Sequence, residues 1–164
     1  MQRLTKPGPS QPDAARPAAA AAGGPGIEPD ELIADLNRLY AEEVEAAVRY
    51  LHLSSAVRGM DRLLVEGKLK EGFQETIQHA EIIAQKLRAL GAVPKLEINV
   101  ECPPQAISGR EALRFALTFE EAALEAYQDV LRRVEGDVVL EEFIRGQIAV
   151  ESVHVAELKE LIFE

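Results

Sequence analysis

Glu43 and Glu120 each interrupt a helical seam that is otherwise apolar, and each is followed seven residues later by a tyrosine, Tyr50 and Tyr127. The helix after each carries a histidine, His79 and His154, and the second histidine closes a Glu-x-x-His pair with Glu151. Residues three apart lie on one face of an α-helix, so Glu151 and His154 can serve one centre. Three carboxylates and two imidazoles turned into one core are costly unless something neutralises them. A pair of divalent cations would do so. Carboxylate with imidazole suits Fe, Mn or Zn. The expected metal ligands are therefore Glu43, His79, Glu120, Glu151 and His154. Two ions per chain are expected, with Fe, Mn and Zn all open.

Each of these residues has a plainer reading when taken alone. A glutamate on a helix is usually solvated, and a histidine is more often a satisfied core or surface residue. The force of the pattern lies in five such residues at mid-seam on four helices. The chemistry is assigned to Glu43, Glu120, Glu151 and Tyr50. Tyr50 and Tyr127 are either plain core residues or groups that hydrogen-bond a ligand or donate an electron. Glu42, Glu45, Glu121 and Glu125 read as a solvated face, and His52 as a surface residue.

The elements that must position these groups are four helices. Positions 32, 36, 39, 43, 46, 50 and 53 read Leu, Leu, Leu, Glu, Ala, Tyr, Leu, a 4-3 spacing that predicts one helix seam from Pro29 to a stop near Gly59. Asp61 is a candidate cap for the second helix, which runs to Leu90 through Leu69, Phe73, Thr76, His79, Ile83 and Leu87. Gly67 and Gly72 weaken its first half. Gly91 and Pro94 stop it. Residues 91–108 then make a connection of about 18 residues, long enough to span roughly 60 Å, whereas a helix of about 26 residues is only roughly 39 Å long. The connection can run the length of a bundle, so the expected architecture is an all-α four-helix bundle with a long crossover between helices two and three. Ser108 and Glu111 form a capping box for helix three. Its seam reads Leu113, Leu117, Glu120, Leu124, Tyr127, Leu131 and Val134. After Gly136 and Asp137, helix four follows with Leu140, Ile144, Gln147, Glu151, His154, Leu158 and Leu161.

Helices one and three align on their tyrosines, which sets Glu43 opposite Glu120. Helices two and four align on their histidines, which sets Thr76 opposite Glu151. The chain reads as two related hairpins, each supplying half of one site. One Glu from each of two helices and Glu-x-x-His from each of the other two is the di-iron carboxylate constellation; here Thr76 is the single position that departs.

Composition limits the alternatives. The chain has 164 residues, 47% apolar and 5% aromatic, with no Trp and a formal net charge of −10. That suits one helical domain and argues against nucleic acid as a partner, since phosphate recognition needs Lys/Arg clusters. Cys102 is the single cysteine, so neither an internal disulfide nor a cysteine metal site is expected, and a cytoplasmic setting is the default. No apolar run reaches the roughly 20 residues of a membrane span. Residues 1–28, rich in Pro, Ala and Gly, read as a disordered tail preceding a bundle over 29–164, with a protein partner for that tail as the functional alternative.

Leu36-Asn37-Arg38-Leu39 leading to Glu43, Ala46 and Tyr50 resembles the first helix of the bacterioferritin branch of the ferritin-like superfamily. His79-Ala80-Glu81 followed by Leu90-Gly91-Ala92-Val93-Pro94 resembles its second helix and exit. Leu117 to Glu120, and Glu151-Ser152-Val153-His154, resemble the third and fourth. The rubrerythrin-like ferritins are a near alternative. The resemblance implies that Glu43 and His79 are terminal ligands of one iron, that Glu120 and His154 serve the other, and that Glu151 bridges. It implies a protein that binds Fe(II) and oxidises it with dioxygen or peroxide, with iron storage in a hollow shell in many relatives. Three departures qualify this. Thr76 stands in place of the second bridging carboxylate. Two Fe(II) then face three carboxylates, and a hydroxide, water or small carboxylate is expected in the gap, hydrogen-bonded by Thr76; Glu75 could also reach in. Ile77 replaces a haem-binding methionine, so no haem is expected. Ten residues follow His154, too few for the fifth helix of large ferritins, so a homo-oligomer, either a dimer or a small shell, is the expectation. The alternative function is a non-catalytic or single-metal structural or partner protein with a degenerate site.

Overall fold

The computed structural model describes residues 27–163. The proposed tail, except its last two residues, and any partner it might have lie outside them. Four helices follow in order: α1 (Pro29–Ala56), α2 (Met60–Ala89), α3 (Gly109–Arg133) and α4 (Val138–Phe163). Among the described residues no strand forms beyond an isolated bridge between Val57 and Ile107, and no helix is long and apolar enough to cross a membrane.

Local sequence sets the helix ends. Pro29 opens α1, with Asp30 and Glu31 in its first turn, where acidic groups complement the helix dipole. Gly91 takes the left-handed conformation that ends α2, at φ 77°, and the Ala92 amide donates to the Leu87 carbonyl at 2.9 Å. The Ser108–Glu111 capping box opens α3 as expected. Asp137 accepts from the amides of Val139 and Leu140 at the start of α4. Asp61 does not cap α2, whose N-cap is Gly59. It lies one residue inside that helix, and its Oδ2 accepts from the Gly109 amide at 2.9 Å, so it caps α3 instead.

All seven seam positions of α1 are buried. On α4 the seam slips at its end, where Ile162 is buried and Leu161 is half exposed. The core has two apolar clusters. One joins Leu32, Leu36, Leu39, Ile83, Leu87, Val130 and Ile144. The other joins Leu53, Leu69, Leu113, Ala116, Leu158 and Ile162. Along each helix, the buried polar residues Glu43, Thr76, His79, Glu120, Gln147, Glu151 and His154 fall between the stretches that build these clusters.

The crossover runs alongside α1 in the same direction. The Lys95 amide donates to Asn37 Oδ1 and the Asn99 amide to Glu45 Oε1, both at 2.7 Å. His52 Nε2 meets the Pro103 carbonyl at 2.8 Å, and the Ile107 amide reaches the Ala56 carbonyl. His52 and Glu45 are therefore partly covered, and Glu42, paired with Arg38 on its own helix, is partly buried too, whereas Glu121 and Glu125 are exposed. Burial is the main influence on Glu42, and it raises that carboxyl's pKa.

The two α2 glycines differ. A Cβ on Gly72 would stand 2.4 to 2.8 Å from ring atoms of Tyr50, whereas a Cβ on Gly67 meets nothing within 4 Å. Gly67→Ala is expected to stabilise the chain by about 0.5–1 kcal/mol through helix propensity. Gly72→Ala is expected to destabilise it by about 1–3 kcal/mol, because Tyr50 is buried and must move. Thermal unfolding of the two variants checks the opposite signs; equal shifts would refute the close packing of Tyr50 on α2.

Candidate metal centre

Each helix contributes at mid-length: α1 supplies Glu43, α2 His79, α3 Glu120, and α4 both Glu151 and His154. The structure brings all five together. Ligand atoms of Glu43, His79 and Glu151 lie within 4.8 Å of one another, and so do those of Glu120, Glu151 and His154. Glu151 belongs to both groups and is 1% exposed. The imidazoles of His79 and His154 lie nearly parallel, with centroids 5.7 Å apart.

The tyrosines are part of this centre, and they pair across the bundle. Tyr50 on α1 donates to Glu120 Oε1 on α3, and Tyr127 on α3 donates to Glu43 Oε1 on α1, both at 2.5 Å. One oxygen of each glutamate is thereby held. The other, Oε2, faces an imidazole: Glu43 Oε2 is 3.7 Å from His79 Nδ1, and Glu120 Oε2 is 3.7 Å from His154 Nδ1. Burial, then the adjacent glutamate charge, raises both phenol pKa values, so the tyrosines remain neutral donors.

Glu151 is the residue the two groups share. Its Oε1 is buried with no hydrogen-bond partner and lies 2.8 Å from His79 Nδ1. A carboxylate oxygen and an imidazole nitrogen turned toward shared space are how ligands stand around a cation, and a buried oxygen with no partner is otherwise costly. The donor set of carboxylate oxygens and imidazole nitrogens fits iron, manganese or zinc.

With no cation, protons do the neutralising. Burial disfavours the charged imidazole of His79, but Glu151 and Glu43 outweigh it and hold the pKa at about 10. His154 is likewise opposed by burial and held at about 10 by Glu120 and Glu151. Burial lifts Glu120 to about 7. Burial would also lift Glu151, but His154 and His79 bring it down to about 2.

Thr76 is buried about one turn before His79 on α2. Its hydroxyl donates at 2.7 Å to the Gly72 carbonyl one turn back on its own helix. The proton expected to serve a bound hydroxide or small carboxylate is thus already committed. Glu75 joins neither ligand group. It stands behind His154, with Oε2 3.3 Å from Nε2. Sequence reasoning missed the Asp35–Arg133 pair, 2.7 Å across α1 and α3. Its signal was an aspartate beside the α1 seam.

The family model of the ferritin-like domain matches residues 33–163, and the chain belongs to that family. Among solved structures, a protein from Bacillus anthracis described as ferritin-like and diiron-carboxylate is 26% identical, covers 82% of this chain and 96% of its own, and superposes with a TM-score of 0.73. A dodecameric thioferritin from Bacteroides fragilis, described as bacterioferritin-related, is 23% identical over 82% of this chain and 86% of its own, with a TM-score of 0.74. The bacterioferritin of Desulfovibrio desulfuricans, with a diiron site, is 21% identical over 82% of this chain and 79% of its own, with a TM-score of 0.73. Among curated proteins compared by sequence, none matches.

Proposed function

We propose that this chain binds two Fe(II) as substrate and oxidises them with dioxygen or peroxide. The observation carrying this reading is the pair of buried ligand groups that share Glu151. Glu43 and His79 would hold one ion, Glu120 and His154 the other, with Glu151 between. Each Fe(II) gives one electron, and a pair matches the two-electron reduction of dioxygen to hydrogen peroxide or of peroxide to water. Tyr50 and Tyr127 hold Glu120 and Glu43 so that each presents one oxygen inward. The diiron-carboxylate description of the Bacillus anthracis relative supports the same reading.

The proposal extends to assembly as a homo-oligomer, with iron storage as its sequel. Leu63 and Leu64 are 73% and 81% exposed on α2, apolar surface that a second copy would cover. The Bacteroides fragilis relative is dodecameric.

Anaerobic titration of the metal-free protein with Fe(II), followed by oxygen, tests the activity. Two Fe(II) per chain and ferric absorbance rising faster than in buffer are the expected results. One ion or none, with oxidation at the buffer rate, would overturn the reading. It would favour a structural or partner protein with a degenerate site, the alternative that Thr76 supports by supplying no fourth carboxylate.

A further inference from the structure

Glu75 stands one residue before Thr76, where the constellation lacks a carboxylate. Its Oε2 is buried, has no hydrogen-bond partner, and lies 3.3 Å from Nε2 of His154. The other nitrogen of that ring, Nδ1, faces Glu151 Oε2 at 3.6 Å and Glu120 Oε2 at 3.7 Å. A neutral imidazole carries one proton, so Nδ1 offers a lone pair to a cation only when the proton sits on Nε2. An acceptor at Nε2 selects that tautomer and makes the ligand nitrogen more basic.

His79 has no such support. Among the described residues, only Glu43 and Glu151 come within ion-pairing distance of it, and both belong to the centre itself. The internal duplication shows why. Glu75 lies four residues before His79 on α2 and serves His154 on α4. The corresponding residue, four before His154 on α4, is Val150, which has no acceptor to offer His79.

We infer, building on the dinuclear reading above, that Glu75 is a positioning residue for His154, and that it makes the Glu120–Glu151–His154 position the tighter of the two cation positions. Glu75 thereby returns the fourth negative charge that Thr76 removed, from behind the ligand instead of between the metals. The two positions are unequal by construction, and the first ion enters the α3–α4 side.

Co(II), followed by its visible absorption and by Zn(II) competition, reads binding without any oxidation step. The full chain should bind two Co(II) with separated affinities. In a His79→Ala chain, which leaves the Glu120–Glu151–His154 position, Glu75→Ala should weaken Co(II) binding by roughly 10–100-fold. In a His154→Ala chain, which leaves the other position, Glu75→Ala should change nothing. Glu75→Gln, which keeps an acceptor without the charge, should fall between. Val150→Glu should tighten the Glu43–Glu151–His79 position. Thermal unfolding of each metal-free variant checks that it folds. Equal losses at both positions, or none at either, would overturn the role of Glu75. Failure of the parent chain to bind two Co(II) would overturn the dinuclear reading, and this inference with it.

Discussion

Replacing Glu151 with alanine is expected to remove the dinuclear centre altogether. Glu151 is the one residue common to both ligand groups. Each remaining position would keep one carboxylate oxygen facing inward and one imidazole, since the second oxygen of Glu43 and of Glu120 is held by a tyrosine. Two ligands per ion do not make a closed site for any of the metals this donor set suits. Bound Fe(II) should fall from two per chain to none at micromolar metal, and oxidation to the buffer rate. Loss of His154 should remove one ion and the rapid phase. A Glu151→Ala chain that oxidises Fe(II) at the parent rate would refute the assignment. The conservative Glu151→Gln should fail in the same way while keeping the volume of the core, which separates lost ligation from lost packing.

The second large effect concerns protons. At neutral pH the metal-free centre holds a proton on His79 and one on His154, both with pKa about 10. A cation needs the lone pairs those protons occupy. Binding a pair of ions should therefore release at least two protons, with Glu120, near half-protonation at about 7, adding to the count. The affinity for the pair should rise by at least about 100-fold for each pH unit near neutrality. Calorimetric Zn(II) titrations in two buffers of different ionisation heat measure this directly. Binding without proton release at pH 7 would show that the imidazoles are not the ligands.

The same shifts set the stability of the metal-free chain, with definite signs. The two histidines have raised values, so their contribution is complete below 6.5 and is lost as pH rises through about 10. Glu120 acts in the same direction, losing its contribution between 4.5 and about 7. Glu151 has a lowered value, so its contribution is complete above 4.5 and is lost as pH falls through about 2. A metal-loaded chain should be spared the loss on the alkaline side.

Much of this was legible in residue spacing. The α1 seam and the five converging carboxylates and imidazoles follow from periodicity, the capping box at Ser108 from its S-x-x-E spacing, and the reach of the crossover from its length. A helix carries its pattern every three to four residues, and only one face can be buried. Five ionisable groups on buried faces must then share one interior. The type of each element and the composition of the centre are therefore properties of the chain as written.

What periodicity could not reach is pairing between elements. Tyr50 and Glu43 share a helix seven residues apart, yet Tyr50 bonds Glu120, 70 residues away, and Tyr127 bonds Glu43, 84 residues away. Which tyrosine meets which glutamate depends on how α1 and α3 cross. The path of the crossover decided that Glu45 and His52 are covered, and packing of the α2 start against Gly109 decided which helix Asp61 caps. Thr76 turned its hydroxyl to its own backbone because a buried donor must find an acceptor, and Gly72 offered one at 2.7 Å. Sequence alone determined that this chain folds as a helical bundle with a carboxylate–histidine centre. Only the tertiary structure decided which oxygen each glutamate turns inward and that Glu75 stands behind His154, because those contacts join helices whose relative placement no local pattern encodes.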